Sequence, residues 1–92
     1  MSRAPQNEYT PDYVYPPGDT LLEAIEAKGM SQAELAARTG LSKRAIGQII
    51  GGKAPITPEI TLRLELALGV PAPFWSQLER DYQAWHMKAG GA

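Results

Sequence analysis

From Ser31 to Lys53 the chain reads SQAELAARTGLSKRAIGQIIGGK, which accommodates only two short amphipathic helices joined at Gly40 by a turn of almost no length. Ser31 and Glu34 have the spacing of a capping box. The serine oxygen accepts from the amide three residues on, and the glutamate reaches back to the amide of the cap itself. Gly40 supplies the left-handed backbone that ends the first helix, Leu41 follows as the apolar residue that packs back, and Ser42 caps the second helix at once. Helices joined so tightly cross steeply, and a close crossing needs a small residue on the inner face. Ala36 fills that place, with Leu35, Leu41, Ile46, Ile49 and Ile50 closing around it.

The second helix is left with Ser42, Lys43, Arg44 and Gln48 outward. The start of such a helix fits the major groove of DNA, where Lys, Arg and Gln address base edges as no apolar side chain does. A plain solvated face is the alternative that these polar residues alone allow. The cap, the hinge and the small residue together decide between the two, because a generic helical hairpin has no use for all three. The segment is read as a DNA-binding helix-turn-helix.

With 92 residues the chain holds one domain, large enough for a single core and too small for a catalytic cleft with walls of its own. It has no cysteine, hence neither a disulfide framework nor a thiolate metal site. Neither a signal peptide nor an apolar run of membrane-spanning length is present, so a cytoplasmic protein is expected. The net charge of −1 argues against nucleic-acid binding, since phosphate neutralisation supplies much of the affinity. Its distribution answers part of that objection. Between Ser31 and Lys53, Arg38, Lys43, Arg44 and Lys53 stand against Glu34, a balance of +3, while Asp12, Asp19, Glu23 and Glu26 precede it. Modest affinity per subunit, and a dimer, are expected.

Residues 1–15 carry Pro5, Pro11 and scattered polar side chains without helical period, the pattern of an extended or disordered arm. Tyr13, Val14 and Tyr15 are expected to pack on the core, with a partner site as the alternative. A domain over residues 16–87 follows. Its first helix comes after Pro16, Pro17 and Gly18, with Asp19 or Thr20 as cap and Leu21, Leu22 and Ile25 as its inner stripe. Thr57 caps the fourth helix, with Pro58 in its first turn and Ile60, Leu64, Ala67 and Leu68 as the core face. Gly29 with Met30, Gly40 with Leu41 and Gly69 with Val70 end three helices by one glycine-plus-apolar device. A fifth helix is expected from about Pro73 to Met87, and residues 88–92 form a fraying tail.

On that last helix Phe74, Leu78, Tyr82 and Trp85 fall on one stripe with Trp75 beside it. Phe74 and Leu78 are expected to complete the monomer core, leaving Tyr82 and Trp85 as candidates for a subunit interface. His86 is the only histidine and has no cysteine or second histidine to share a metal, so it reads as a surface residue. Glu23 with Glu26 and Glu79 with Asp81 read as solvated charge, there being neither nucleophile nor cavity beside them. No enzyme, cofactor or metal is expected.

These residues resemble the lambda-repressor-like, XRE-type helix-turn-helix domains, and within them the HigA-like antitoxin branch. The resemblance covers most of residues 16–82 and rests on PPGDTLLEAI, SQAELAARTGLS and GKAPITPEITLRLELALGVPAPFWSQLERDY. It implies an all-α, five-helix, dimeric DNA-binding domain. It further implies a repressor of its own operon, with a palindromic operator, that holds an RNA-cleaving toxin of the RelE-like class. By position in the family pattern, Lys43, Arg44 and Gln48 stand where bases are touched. Gln32 and Ser42, at the starts of the two helices, and Lys53 stand where phosphates are held, and helix amino termini favour an anion. The chain departs from the pattern at Gly47, where a polar base-reading residue is common, and at Gly51, where asparagine is usual. A structural use of Gly47, in close approach to the DNA backbone or to a neighbouring helix, is the alternative reading. Similar segments also front longer proteins that carry an ImmA/IrrE-type zinc peptidase, although this chain has no HExxH motif. A protein-interaction module without DNA binding is the third class left open.

Overall fold

The computed structural model describes residues 14–91; the expectations for residues 1–13, Tyr13 among them, and for Ala92 lie outside this range. Five helices, and no strand, make up the regular structure of the described residues: α1 Pro17–Ala27, α2 Gln32–Thr39, α3 Lys43–Ile50, α4 Pro58–Leu68 and α5 Ala72–Gly91. The all-α, five-helix expectation holds.

Three of the starts follow the local chemistry read from the sequence. The amides of Glu34, Ala45 and Ile60 donate to the side-chain oxygens of Ser31, Ser42 and Thr57 at 3.0, 3.0 and 3.4 Å. The start of α1 differs from expectation, because neither Asp19 nor Thr20 caps it. Pro16 is the cap and Pro17 opens the helix, with the Asp19 amide donating to the Pro16 carbonyl at 3.0 Å. Proline's fixed φ pre-forms the first turn and its missing N–H is one that no helix uses, so the helix begins earlier and Asp19 lies within its positive end.

The ends come in two kinds. Gly40 and Gly69, both at φ 77°, close α2 and α4 with one hydrogen bond each, the glycine amide donating to the carbonyl of Ala36 and of Glu65 respectively. At α3 a left-handed glycine that the apolar pattern did not mark, Gly52 at φ 76°, brings two bonds: its own amide donates to Ile49 at 3.1 Å and the Lys53 amide to Gln48 at 2.8 Å. The residue after Gly52 is a lysine, so the glycine-plus-apolar signature is absent there.

The core gathers Leu21, Ile25, Met30, Leu35, Ala36, Ile46, Ile49, Ile56, Leu64, Leu68 and Trp75. Ile56, in the loop before α4, was not among the expected core residues. On α4 the buried face is Thr61, Leu64 and Leu68, with Ile60 and Ala67 half-buried at its margin. One expectation is overturned on α5. Phe74 is 45 % exposed, whereas Trp75 is fully buried. The inward face of α5 steps through Ala72, Trp75 and Leu78 at helical spacing, with Ala72 and Trp75 buried and Leu78 packed against the core. Phe74 lies one residue off that face and meets the Trp75 ring edge-on at 5.2 Å. Tyr15, expected on the core, is 71 % exposed and sits before two prolines that turn the chain into α1, while Val14 is half-buried. At its far end α5 continues to Gly91, past Met87.

Helix α3 is gripped from two sides, by α1 and by α2, while α2 also packs on α4 and α5 on both α4 and α1. The grip of α1 depends on Gly18. A Cβ there would fall 2.2 Å from the Ile49 carbonyl oxygen and 2.7 Å from that of Ile50, so the start of α1 lies directly against the end of α3. With Ile46 and Ile49 drawn into the core, Lys43, Arg44 and Gly47 are left exposed.

Candidate nucleic-acid interface

The turn between α2 and α3 is built around Thr39, a buried polar residue that the sequence reading passed over. Its hydroxyl donates to the Leu35 carbonyl at 2.8 Å and accepts from the Leu41 amide at 3.3 Å, tying the last turn of α2 to the residue that leads into α3. Arg63 of α4 adds a second tie, donating to the Thr39 carbonyl at 2.7 Å. A cation at a helix carboxyl end is favoured by the dipole as well as by the bond. Together these fix the angle at which α3 leaves the turn.

On α3, Lys43 and Arg44 occupy the first two positions after the Ser42 cap, and Gln48 follows a turn later, half-buried. Ser42 uses its oxygen as acceptor from Ala45, which leaves the hydroxyl proton to donate outward. Gln32 opens α2, and its Oε1 lies 4.0 Å from where a Cβ on Gly47 would stand. The start of α2 and the middle of α3 therefore share one surface, containing Gln32, Lys43, Arg44, Gly47 and Gln48. Lys53, exposed, lies beyond the carboxyl end of α3, on the order of 12 Å along the helix from Ser42.

Electrostatics sharpen this face. The two ion pairs of the described residues join Arg38 to Glu34 at 3.0 Å and Arg63 to Glu59 at 2.7 Å, and neither involves Lys43, Arg44 or Lys53. Half of the expected capping box is thereby replaced. The Ser31 oxygen does accept from Glu34, but the Glu34 carboxylate turns to Arg38 four residues on, where a full positive charge outbids a neutral amide. Arg38 and Glu34 cancel, and three uncompensated cations remain on and after α3.

The close approach considered for Gly47 within the protein is absent: beyond its own stretch of helix, a Cβ there would meet the Gln32 oxygen at 4.0 Å, an ordinary contact distance. The close approach belongs to Gly18. Another correction concerns Glu79, which is not simply solvated charge. It is half-buried and accepts from the Ile56 amide at 3.0 Å, holding the α3–α4 loop against α5. Asp81 is exposed and accepts from Gln77 at 2.8 Å, and Glu23 and Glu26 are exposed.

A groove of about 280 Å³ runs between the start of α1, the α3–α4 loop and α5, with Pro17, Lys53, Glu79, Tyr82 and His86 among its walls. Beside it the rings of Tyr82 and Trp85 stack at 6.4 Å and 21°, and those of Tyr82 and His86 at 5.7 Å and 22°. Tyr82 and Trp85 are half-buried, and His86 is exposed. Among the described residues, no group of His, Asp and Glu could hold a metal ion, and no helix is long and apolar enough to cross a membrane.

Comparison with known proteins places this geometry. The family model described as Helix-turn-helix matches residues 21–75. Over 71 residues, 77 % of this chain and 72 % of the relative, the sequence is 27 % identical to YddM of Escherichia coli strain K12, described as an uncharacterized HTH-type transcriptional regulator. Among solved structures, the Pseudomonas aeruginosa antitoxin HigA with higBA promoter is similar at TM-score 0.78 and 26 % identity, covering 86 % of this chain and 88 % of that one. An addiction module antidote protein of a HigA family from Coxiella burnetii is similar at TM-score 0.74 and 28 % identity, covering 85 % of this chain and 87 % of that one.

Proposed function

Because the chain belongs to the helix-turn-helix family, we propose that it is an operator-binding repressor that acts as a homodimer and serves as the antitoxin of an RNA-cleaving toxin. The observation that carries the DNA-binding part is the exposed, uncompensated Lys43–Arg44 pair at the start of a helix whose opposite face is buried. Lys43, Arg44 and Gln48 read base edges, while Gln32, Ser42 and Lys53 hold phosphates on either side of them. The likeness to the antitoxin HigA solved with the higBA promoter supports the same use of the fold here. The antitoxin part draws on the likeness to HigA-family antidotes. It also fits the exposed carboxylates Asp19, Glu23 and Glu26 of α1, since a protein that grips RNA is basic.

Selection from a random duplex library, followed by fluorescence anisotropy on the enriched site, tests the DNA-binding reading. Arg44→Ala should weaken the selected site by about 1–3 kcal/mol and relax one base position, with little change on random DNA. Lys53→Ala should weaken every duplex alike and lower the salt slope by about 1. Equal loss on selected and random DNA for Arg44→Ala would overturn base reading, and failure of the wild-type chain to enrich any duplex would overturn DNA binding altogether.

A further inference from the structure

Gly47 is exposed in the middle of α3, flanked by Arg44 and Gln48, where alanine would make a better helix. The other glycines between Gly18 and Gly69 each have a local reason. Gly18 has no room for a Cβ, Gly29, Gly40, Gly52 and Gly69 have left-handed backbones, and a Cβ on Gly51 would press on the Gly47 carbonyl at 3.2 Å. Gly47 has neither cause: its φ is helical, and a Cβ there would fit without strain, at an ordinary 4.0 Å from the Gln32 oxygen. The result is a notch in the outward face, walled by Arg44, Gln48 and Gln32. Its floor offers no hydrogen bond. The Gly47 carbonyl already accepts from the Gly51 amide at 2.9 Å and the Gly47 amide lies inside the helix, so what faces outward is the Cα methylene.

An apolar notch in a groove-facing surface suits an apolar protrusion, and the edges of unmodified base pairs present one such group in the major groove, the C5-methyl of thymine. We propose that Gly47 is a specificity-determining residue that receives this methyl group, so that each half-site carries a thymine at the position facing the notch. The proposal rests on the DNA-binding reading and adds a base identity to it. The contact is a matter of shape: a methyl on the protein and a methyl on the base compete for one space.

The experiment is a reciprocal methyl exchange. In the duplex enriched by the wild-type chain, each thymine is replaced in turn by deoxyuridine, which pairs identically and lacks only the methyl, and binding is measured for the wild type and for Gly47→Ala. At one thymine per half-site, deoxyuridine should weaken the wild type roughly 4-fold, the loss expected for one buried methyl. Gly47→Ala should bind the thymine site more weakly than the wild type and recover on the deoxyuridine site, where its own methyl fills the gap. A 5-methylcytosine·guanine pair at that position restores the methyl with altered hydrogen bonding. Tighter binding to it than to an unmethylated cytosine·guanine pair at the same position would show that the methyl group is what is read, whereas equal binding of the two would overturn the proposal. A flat deoxyuridine scan for the wild type, or a Gly47→Ala profile parallel to it at every position, would also overturn it. Unfolding is controlled by the melting temperature, which should rise by roughly 4–8 °C in Gly47→Ala. Failure of the wild type to enrich any duplex would be a failure of DNA binding itself, visible before any methyl is removed.

Discussion

Two glycines of this chain, 18 and 47, are each next to helical residues and carry opposite consequences. Gly18→Ala places a methyl carbon 2.2 Å from the Ile49 carbonyl oxygen, a backbone atom with nowhere to go, so α1 and α3 must separate. A loss of about 1–3 kcal/mol is expected, read as a lower urea midpoint, whereas Gly47→Ala should gain about 1 kcal/mol. Unaltered stability in Gly18→Ala would mean that the contact is looser than drawn. At this scale the sequence was legible where helical period decides: Lys43 and Arg44 are outward, and Ile46 and Ile49 inward, as the spacing requires. It was not legible where the spacing allows two faces: Leu78 lies one turn from both Phe74 and Trp75, so either can share its stripe, and packing against the other helices gives the inward place to Trp75. Nor could Gly18 be recognised, since a glycine after two prolines reads as a turn until its distant neighbour is known.

Between elements, the ties are made by side chains reaching across long separations. The caps at Ser31, Ser42 and Thr57 involve an amide three residues on, a spacing visible in any sequence. The bonds from Ala72 to Glu65, from Ile56 to Glu79 and from Arg63 to Thr39 span 7, 23 and 24 residues, and nothing local announces them. Their charged side chains look like ordinary solvated residues until the helices are packed. Glu79 shows what such a tie does, since the loop it holds carries Lys53 out of α3. Glu79→Ala should leave the Ile56 amide without its acceptor and cost about 1–3 kcal/mol, with faster hydrogen exchange at that amide. Glu79→Gln keeps an acceptor oxygen and should retain most of the protection. Equal exchange rates in all three proteins would show that the bond does not hold the loop.

As a whole molecule, a single domain of this kind presents one reading helix, and a palindromic operator needs two of them about 34 Å apart. We propose that Tyr82 and Trp85 on α5 join the subunits. Replacing both by alanine should halve the sedimentation mass at micromolar concentration and lower operator affinity through loss of the second half-site. An unchanged mass would move the interface elsewhere, with the exposed Leu62 and Leu66 of α4, 58 % and 87 % accessible, as the next surface to test. The placement of the chain's two tryptophans turns this question into an optical one. Trp75 is sealed in the core and Trp85 lies half-buried on the face assigned to assembly. Trp75 emission should therefore resist an aqueous quencher until the protein melts, while Trp85 emission should lose quencher access as subunits pair, so a single unlabelled sample reports unfolding and association as separate signals.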